Sequence, residues 1–507
     1  MKKVKKITIV FLFAIIFTLL FHRQAPGINL LIFEFLFLYR LVVTKEFPVD
    51  KKYSRLLGFG LIWTSLFTII TNSCFSFNVN LLVLFIFTGV LIYPDAKSLA
   101  TSLSLSITNL VNAVFRLWSS ITGIDLNGRK TEFYILRARI FLIPAIIIIF
   151  FIIIYKESNP LFDNMVYRIV KEIKYIFNEF DFLIILTFLI GIFISGFLLL
   201  RTGDSQVIDA DLHSDDQLTR NKKVKSGIFS MTALKEESHA GIFLLTILNL
   251  LLLLLNVMDI RFVWLNFRWE GQYLKQFVYE GTYLLILSIL ISIAIVLWFF
   301  RGNLNFYSGN RWLRYMSYIW ITQNLVLALS VGIRNYWYIY YFALAYKRIG
   351  VIIFLVLTVY GLFSVFIKVY GKKSVFYLIR TNIVSLLVTL MISAAIDWST
   401  VIARYNFNHA HRSFLHLDYL STLPDHTLPH LDKSLPELHR IDAIQKYKFP
   451  FEQIYMTPEN YHNIISERKI KFRKEWESKS FLSWNLPEYL AYRKLKRNMM
   501  TEGFPQD

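Results

Sequence analysis

The residues of this chain that are most able to do chemistry are ionisable and amide side chains inside apolar segments. Glu34 stands near the middle of the apolar segment Ile28–Val43. An ionised carboxylate at mid-bilayer costs about 2.5–3.5 kcal/mol on the lenient insertion scale. Glu34 is therefore a proton or cation site, a carboxylate that faces a cavity, or a protonated or hydrogen-bonded residue at a helix contact.

A second set of polar residues lies in a later apolar segment and just beyond it. Gln323, Ser330 and Arg334 are spaced by seven and four residues, which returns their side chains to one face of a helix. Asn324 and Asn335 follow one position on and widen this face. Because polar side chains that face lipid are costly, we expect the face to point inward. The face could line a path for a substrate or ion. The alternative, which we favour, is that its side chains form interhelical hydrogen bonds.

The composition places these residues in a membrane protein. Of 507 residues, 55% are hydrophobic and 18% are charged, against about 45–50% apolar and about 25% charged in soluble domains. The apolar residues come in blocks and not in amphipathic stripes. This excludes a soluble globular protein, a disordered chain, a collagen and a disulfide scaffold. The single cysteine, Cys74, excludes an intrachain disulfide and a cysteine-based zinc site.

Eleven apolar segments approach or reach the ~20 residues that a bilayer-spanning helix needs. Their cores are Ile7–Phe21, Ile28–Val43, Leu56–Asn72, Phe77–Tyr93, Ala138–Tyr155, Phe182–Leu200, Ala240–Val257, Gly281–Phe300, Trp312–Gly332, Gly350–Tyr370 and Thr381–Ile396. The Ser- and Thr-rich stretch Thr101–Gly123 predicts an interfacial helix, with a twelfth span as the alternative. The fold class is thus an all-α polytopic transmembrane helix bundle over residues 1–396, with a polar cytoplasmic loop at 201–239. A small, mostly helical extramembrane tail follows over residues 397–507.

The distribution of positive charge predicts the orientation in the membrane. A Lys-rich start and an apolar run without a small-residue cleavage site predict an uncleaved signal anchor. Lys and Arg concentrate in alternate short loops, which predicts a cytoplasmic N-terminus. Eleven spans then place the tail outside, in the periplasm of a Gram-negative cell. The excess positive charge, +20 for the whole chain, lies mainly in these loops, so we expect no nucleic-acid partner. The expected partners are the lipid bilayer and envelope proteins that contact the tail.

The tail shows helix-start signals. Thr457 and Pro458 predict an N-cap and first turn of a helix that runs to about Ser480, and Asn485 starts another. Leu-Pro pairs at 423, 428 and 435 predict restarting helical turns. Most of the histidines lie in the tail, and we interpret them as solvated surface residues because they lack a zinc-binding spacing.

Motifs for phosphate, calcium and acyl chemistry are incomplete or absent in the sequence. The acidic stretch 209–220 begins like an EF-hand, but Ser214 replaces the required glycine and Arg220 the final glutamate. The sequence contains no Walker A motif and no Gly-x-Ser-x-Gly elbow. We therefore expect no cofactor and no metal. The aromatic segment Asn335–Tyr346 is interpreted as an outer loop with an aromatic belt at the bilayer interface; the alternative is a platform for a carbohydrate or lipid.

Several motifs carry a family resemblance, strongest from about Asp259 to Tyr419. They include Trp312-Leu-Arg-Tyr315, Trp320-x-x-Gln323-Asn324, Arg334-Asn335, Tyr346-Lys-Arg-Ile-Gly350, Lys368, Asp397-Trp398 and Arg404-Tyr405-Asn406. In these the chain resembles a bacterial family of polytopic membrane proteins of unknown function (domains of unknown function 4173 and 4153). The resemblance implies an integral membrane protein without implying an activity, and it adds Lys347 and Arg348 to the candidate functional residues. The family's Tyr-Gly-Leu-Thr stands here as Phe342-Ala343-Leu344-Ala345.

Because no catalytic constellation is present, the sequence favours a non-enzymatic scaffold, accessory or sensor protein of the bacterial inner membrane. The alternative is a transporter or lipid flippase that uses the buried polar groups. A third hypothesis is a membrane-embedded transferase acting on a lipid-linked substrate, with Asp259, Glu280 and Asp397 as its candidate acids. The sequence leaves the oligomeric state open.

Overall fold

The computed structural model describes residues 2–121, 158–176, 181–220, 231–265, 272–450 and 452–501, with single positions at 144, 148, 151, 152, 155 and 156. Over these residues the chain forms nineteen α-helices and no strand. The predicted all-α helix bundle is confirmed.

The helices are, in chain order, α1 (Lys2–Phe21), α2 (Ile28–Val43), α3 (Lys52–Thr71), α4 (Cys74–Ile92), α5 (Leu99–Ile121), α6 (Pro160–Ile176), α7 (Phe182–Leu199), α8 (Ser205–Leu212), α9 (Met231–Asp259), α10 (Gln272–Phe299), α11 (Arg311–Phe342), α12 (Tyr346–Gly371), α13 (Val375–Ala394), α14 (Trp398–Asn408), α15 (Leu417–Ser421), α16 (Leu428–Leu431), α17 (Leu435–Lys448), α18 (Pro458–Glu477) and α19 (Leu486–Thr501). A π-helical turn, Ile260–Leu265, continues α9.

Eight of the helices in the described residues are long and apolar enough to cross a membrane: α3, α4, α7, α9, α10, α11, α12 and α13. Two further predicted spans form shorter helices, with apolar stretches at Lys6–Phe21 and Ile28–Val43. The predicted span Ala138–Tyr155 lies mostly outside the described residues. The stretch expected to hold an interfacial helix forms α5. The chain is therefore a multi-pass membrane protein, and the number eleven stays a prediction.

Two segments expected to be loops contain helix. Of the aromatic segment predicted as an outer loop, residues 335–342 form the last turns of α11. There the Trp337 indole donates to the Val263 carbonyl (3.0 Å). In the segment 201–239, α8 and the start of α9 are helical, and residues 221–230 lie outside the described part. The stretch after α8 is also tied to the α12–α13 turn, where Leu218 N donates to Lys372 O (3.0 Å).

The chain divides into two compact units. The first comprises Met1–Leu56, Phe85–Asp95 and Thr101–Ile208, and the second comprises Leu57–Leu84, Ala96–Ala100 and Asp209–Asp507. The tail after residue 396 thus belongs to the same unit as spans α9 to α13. The domain boundary that the sequence suggests at 396/397 stays a prediction.

The first unit depends on close approaches at small residues. A Cβ added at Gly89 would lie 1.8 Å from the carbonyl oxygen of Ser102, and one at Gly191 would lie 2.9 Å from that of Ala14. Without a hydrophobic force between helices in lipid, such small-residue contacts allow the van der Waals packing that holds them together. Glycine at these two positions lets α4 approach α5 and α7 approach α1.

The second unit contains one core among its spans and another that joins spans to tail. The second core includes Ala343, Leu344 and Ile349 at the α11–α12 turn, packed with apolar residues from α14 to α19 such as Ile402 and Leu495. The helix starts in the tail are as predicted: the Thr457 hydroxyl accepts from Asn460 N (3.3 Å) at the start of α18. Proline stands in the first turn of α16, α17 and α18.

The turn between α11 and α12 has an unusual backbone. Ala343 has φ 63° and ψ −173°, a region that is essentially restricted to glycine. Two side-chain bonds hold this turn to the tail: Asn406 Oδ1 accepts from Leu344 N (2.7 Å) and Asn406 Nδ2 donates to Leu344 O (3.0 Å). Ala343 stands where the resembled family has glycine, so the glycine of that motif has a backbone reason.

Replacing Ala343 by glycine should stabilise the protein. The change removes backbone strain of order 1–3 kcal/mol, and we expect a higher midpoint in thermal unfolding of the detergent-solubilised protein. Ala345→Gly is the matched control, because Ala345 has φ −147° and carries no such strain; its midpoint should stay equal or fall. A lower midpoint for Ala343→Gly would contradict this account.

Candidate functional site

The polar face predicted on α11 lies against α9, and amides connect the two helices. Gln323 Nε2 donates to Asn249 Oδ1 (2.8 Å) and to Asn249 O (3.2 Å). Asn249 Nδ2 in turn donates to Met316 O (3.0 Å), and Asn256 Nδ2 donates to Gln323 O (3.1 Å). These amide N–H groups find acceptors in the partner helix, where bilayer water is absent, whereas Gln323 Oε1 and Asn256 Oδ1 are buried without a partner among the described residues. We call this contact the α9–α11 seam.

The seam has a fixed register. Asn249 and Asn256 are seven residues apart, and so are Met316 and Gln323 on α11. Each asparagine bonds to the residue 67 positions further along the chain, so the two helices run in the same direction. A seven-residue repeat on both helices is the pattern of left-handed, coiled-coil-like packing.

At the end of the seam nearest the tail, a buried charge pair joins the same helices. Arg334 Nη2 lies 2.5 Å from Asp259 Oδ1, and both side chains are 5% exposed. One turn earlier on α11, Ser330 Oγ accepts from the indole of Trp264 (3.0 Å), which the π-helical turn carries. Three predicted residues, Gln323, Ser330 and Arg334, are thereby bound to one partner helix.

Asn324 has a different role from its neighbour Gln323. It is fully buried, and its Nδ2 donates to Trp320 O on its own helix (2.8 Å). The Trp320 indole lies 3.4 Å from Ser292 O on α10. Asn324 therefore widens the polar face as predicted, but towards α10 and not along the seam.

Three other predicted residues line one cavity. It lies where the start of α10, the end of α11 and the start of α12 meet. The cavity has a volume of about 90 Å³, and Asn335, Lys347 and Arg348 line it with Thr282 and Tyr283. Asn335 Nδ2 donates to Arg348 O (3.1 Å), which joins the end of α11 to the start of α12.

Arg348 closes the strained turn. Its guanidinium donates to the carbonyls of Phe342 and Ala343 and lies 4.2 Å from the ring centre of Tyr338. The Arg348 side chain is therefore held by the turn, whereas Lys347 is exposed on the rim of the cavity. Among the described residues that line this cavity, Lys347 is the cation available to a ligand.

Glu34 belongs to a different unit from the other predicted residues. It is 1% exposed on α2, in the first unit, whereas the α11 residues belong to the second. Near the end of α2, Arg40 pairs with Glu46 (2.9 Å), which Arg201 also contacts. Within its unit Glu34 is buried on α2.

The opposite ends of α10, α11 and α12 contain a cluster that sequence reasoning did not select as a site. Lys368 is 1% exposed and its Nζ donates to Phe300 O (2.7 Å). Asn305 donates to the same carbonyl (3.0 Å), and Arg314 donates to Asn305 O (3.1 Å). One feature of the sequence could have identified this cluster: Lys368 stands inside an apolar segment. In the sequence-based interpretation, Lys368 served only as part of the family resemblance.

The three acids proposed for a transferase have separate surroundings. Asp259 is bound to Arg334, and the side chain of Glu280 lies outside the described part of the structure. Asp397 caps α14 by accepting from Thr400 N (3.2 Å), and His426 Nε2 lies 3.2 Å from the same Oδ1. His426 is 5% exposed, so the interpretation of the tail histidines as solvated is wrong for it: the Asp397 partnership holds it inside the tail.

Comparison with known families settles the relationship. Residues 56–434 match the model of a domain of unknown function, DUF4153. The chain belongs to this family. The DUF4153 region includes the α9–α11 seam, the strained turn and the Asp397–His426 pair, and it excludes Glu34 and α18 and α19. No curated protein and no solved structure matches the chain.

Removing one partner of the buried charge pair should cost more than removing both. Arg334→Gln leaves a buried carboxylate, and Asp259→Asn leaves a buried guanidinium, either of which costs about 3–5 kcal/mol. The double variant leaves no uncompensated charge. We expect low monodisperse yield and a low thermal midpoint for each single variant and recovery of both in the double.

The exposed Lys347→Gln is the control for charge removal at the same end of the bundle, and it should behave as the unmodified protein. If the losses of the two single variants add in the double variant, the pair does not act as a unit.

Proposed function

We propose that this protein is a non-enzymatic scaffold, accessory or sensor protein of the bacterial envelope, whose spans hold a folded tail at the membrane surface. The observation that carries the proposal is the shared core of spans and tail. Ala343, Leu344 and Ile349 are in the α11–α12 turn, yet they pack with the tail helices. A tail that merely followed the last span would not need this core.

The contacts of the polar residues support the same proposal. Gln323, Ser330 and Arg334 are each engaged by α9, and Arg348 by backbone carbonyls of the turn. Such bonds fix the helices in place. A bundle that supports a tail requires such bonds. Interhelical hydrogen bonding is also the role that the sequence favours for these residues.

The charge distribution supports a tail on the outer side of the inner membrane. Basic residues concentrate at the ends of helices α10 to α13 that lie away from the tail. They are Arg301, Arg311, Arg314, Lys372, Lys373 and Arg380. Short loops rich in Lys and Arg stay in the cytoplasm. The tail is then periplasmic, where it can contact envelope proteins.

The cavity beside Lys347 favours a second candidate function, a transporter or lipid flippase. It lies where α10, α11 and α12 meet, and Lys347 is an exposed cation on its rim. Solute movement that is lost in Lys347→Ala, with assembly intact, would support this second function over the first.

Two fusions test the sidedness, and a crosslinker tests the role. Alkaline phosphatase fused after residue 501 should be active in cells, whereas a fusion after Gly371, one span earlier, should be inactive. A photocrosslinking amino acid at Tyr447, which is 86% exposed on the tail, should form adducts with protein, and one at Leu254, which is 64% exposed on span α9, should not.

An inactive phosphatase after residue 501 would contradict the periplasmic tail. Absence of protein adducts at Tyr447, together with assembled Arg334 or Gln323 variants that stop solute movement, would contradict the scaffold role.

A further inference from the structure

A second cavity lies in the tail, and we propose that it binds the phosphate headgroup of an anionic membrane lipid. The inference goes beyond the scaffold role and does not depend on it. The cavity has a volume of about 230 Å³ and is half polar and half apolar in its lining residues.

The cavity lies where spans end. Ile70, which lines it, is the last residue but one of span α3, and Asp397 follows the end of α13 by three residues. The tail helix α19 is tied to the same place, because Asn72 Nδ2 donates to Glu488 Oε1 (2.9 Å). A lipid in the adjoining leaflet has its headgroup at this level.

A buried histidine, His426, stands in the wall of this cavity. His426 is 5% exposed and its Nε2 is held by Asp397 Oδ1 at 3.2 Å. Its other ring nitrogen, Nδ1, is buried and has no hydrogen-bond partner among the described residues. Because Nδ1 is buried from solvent, a ligand in the cavity does not reach it, and the histidine contributes to the site by holding Asp397.

The charges around the cavity fit an anion. Arg404 and Lys494 both line it, both are exposed, and neither is paired with a carboxylate within the described residues. Against these two cations stands one acid, Asp397. Burial by itself would raise the pKa of Asp397, but hydrogen bonds from His426 and Thr400 outweigh burial and hold the pKa below its usual range. The carboxylate is thus already engaged by the protein.

His430 adds no positive charge to the cavity, but it positions Arg404. Burial, with the positive charges of Lys494 and Arg404, lowers the pKa of His430 to about 4. The ring is therefore neutral at neutral pH, and its Nε2 accepts from Arg404 Nε at 3.2 Å. This bond orients the guanidinium beside the cavity, where it can bind a phosphate oxygen with its remaining donors.

The apolar side of the cavity selects a lipid over a soluble anion. Ile70 comes from a membrane span, and Leu486 and Leu490 come from α19; Leu490 is 54% exposed. Inorganic phosphate has no apolar part that could pack against this wall, whereas the wall can cover the glycerol and first methylenes of a phospholipid. A phosphate ester with an alkyl part satisfies both halves of the lining.

The test is titration of the full-length protein, in uncharged detergent micelles, with dioctanoyl phosphatidylglycerol. Dioctanoyl phosphatidylcholine and inorganic phosphate are titrated in parallel. Arg404→Gln/Lys494→Gln removes the two cations, and Arg440→Gln/Lys474→Gln removes the same two residue types from exposed positions elsewhere on the tail. All four side chains are exposed, so each variant should keep the thermal midpoint of the unmodified protein.

We expect phosphatidylglycerol to bind more tightly than phosphatidylcholine and to bind the Arg404/Lys494 variant about tenfold more weakly. The Arg440/Lys474 variant should bind as the unmodified protein does. Equal phosphatidylglycerol affinity in both variants would overturn the site. Inorganic phosphate that binds as tightly as phosphatidylglycerol would overturn the lipid as its ligand. The sidedness fusions and the crosslinker report on the scaffold role separately.

Discussion

The structure depends on the requirement that polar groups within a bilayer find partners in the protein. Water is absent there, and an unsatisfied amide or charge costs several kcal/mol. Between α9 and α11 the requirement is met in part: Asn249, Asn256 and Gln323 bond across the seam and Arg334 pairs with Asp259, while Gln323 Oε1 and Asn256 Oδ1 have no partner among the described residues. These bonds fix the two helices in one register, which apolar surfaces alone would leave free to slide.

Fixing α11 also fixes what lies at its end. The helix continues to Phe342, where the turn is held by Arg348 from one side and by Asn406 of the tail from the other. Ala343 adopts a backbone conformation suited to glycine, and the surrounding bonds hold it there. The α11–α12 turn is therefore the connection through which the seam positions the tail, its core and the cavity beside Asp397.

The local parts of this arrangement could be predicted from sequence. The spacing of Gln323, Ser330 and Arg334 identified the inward face of α11, and Thr457 with Pro458 identified the start of α18. Such signals depend on neighbours within one or two helical turns. The partner of that face could not be identified, because Asn249 and Asn256 lie 67 residues away from the residues they bind, although their own seven-residue spacing was a usable signal.

The tail cavity was missed for the same reason. Asp397 and His426 are 29 residues apart, and they meet because α14 and the turn at Asp425–Thr427 pack together. A histidine in a polar tail is usually solvated, so composition favoured the wrong interpretation of His426. The extension of α11 through its aromatic residues was likewise decided by packing, since Trp337 finds the Val263 carbonyl.

The register of the α9–α11 seam is the most direct measure of this account. In a background with Cys74 replaced by serine, a short bis-maleimide crosslinker is applied in membranes to Asn249→Cys/Gln323→Cys and to Asn249→Cys/Ser330→Cys, and crosslinked peptides are quantified by mass spectrometry. The second pair is displaced by seven residues, about 10 Å along α11. The account predicts crosslinking of the first pair and little of the second. Equal or greater crosslinking of the second pair would contradict it.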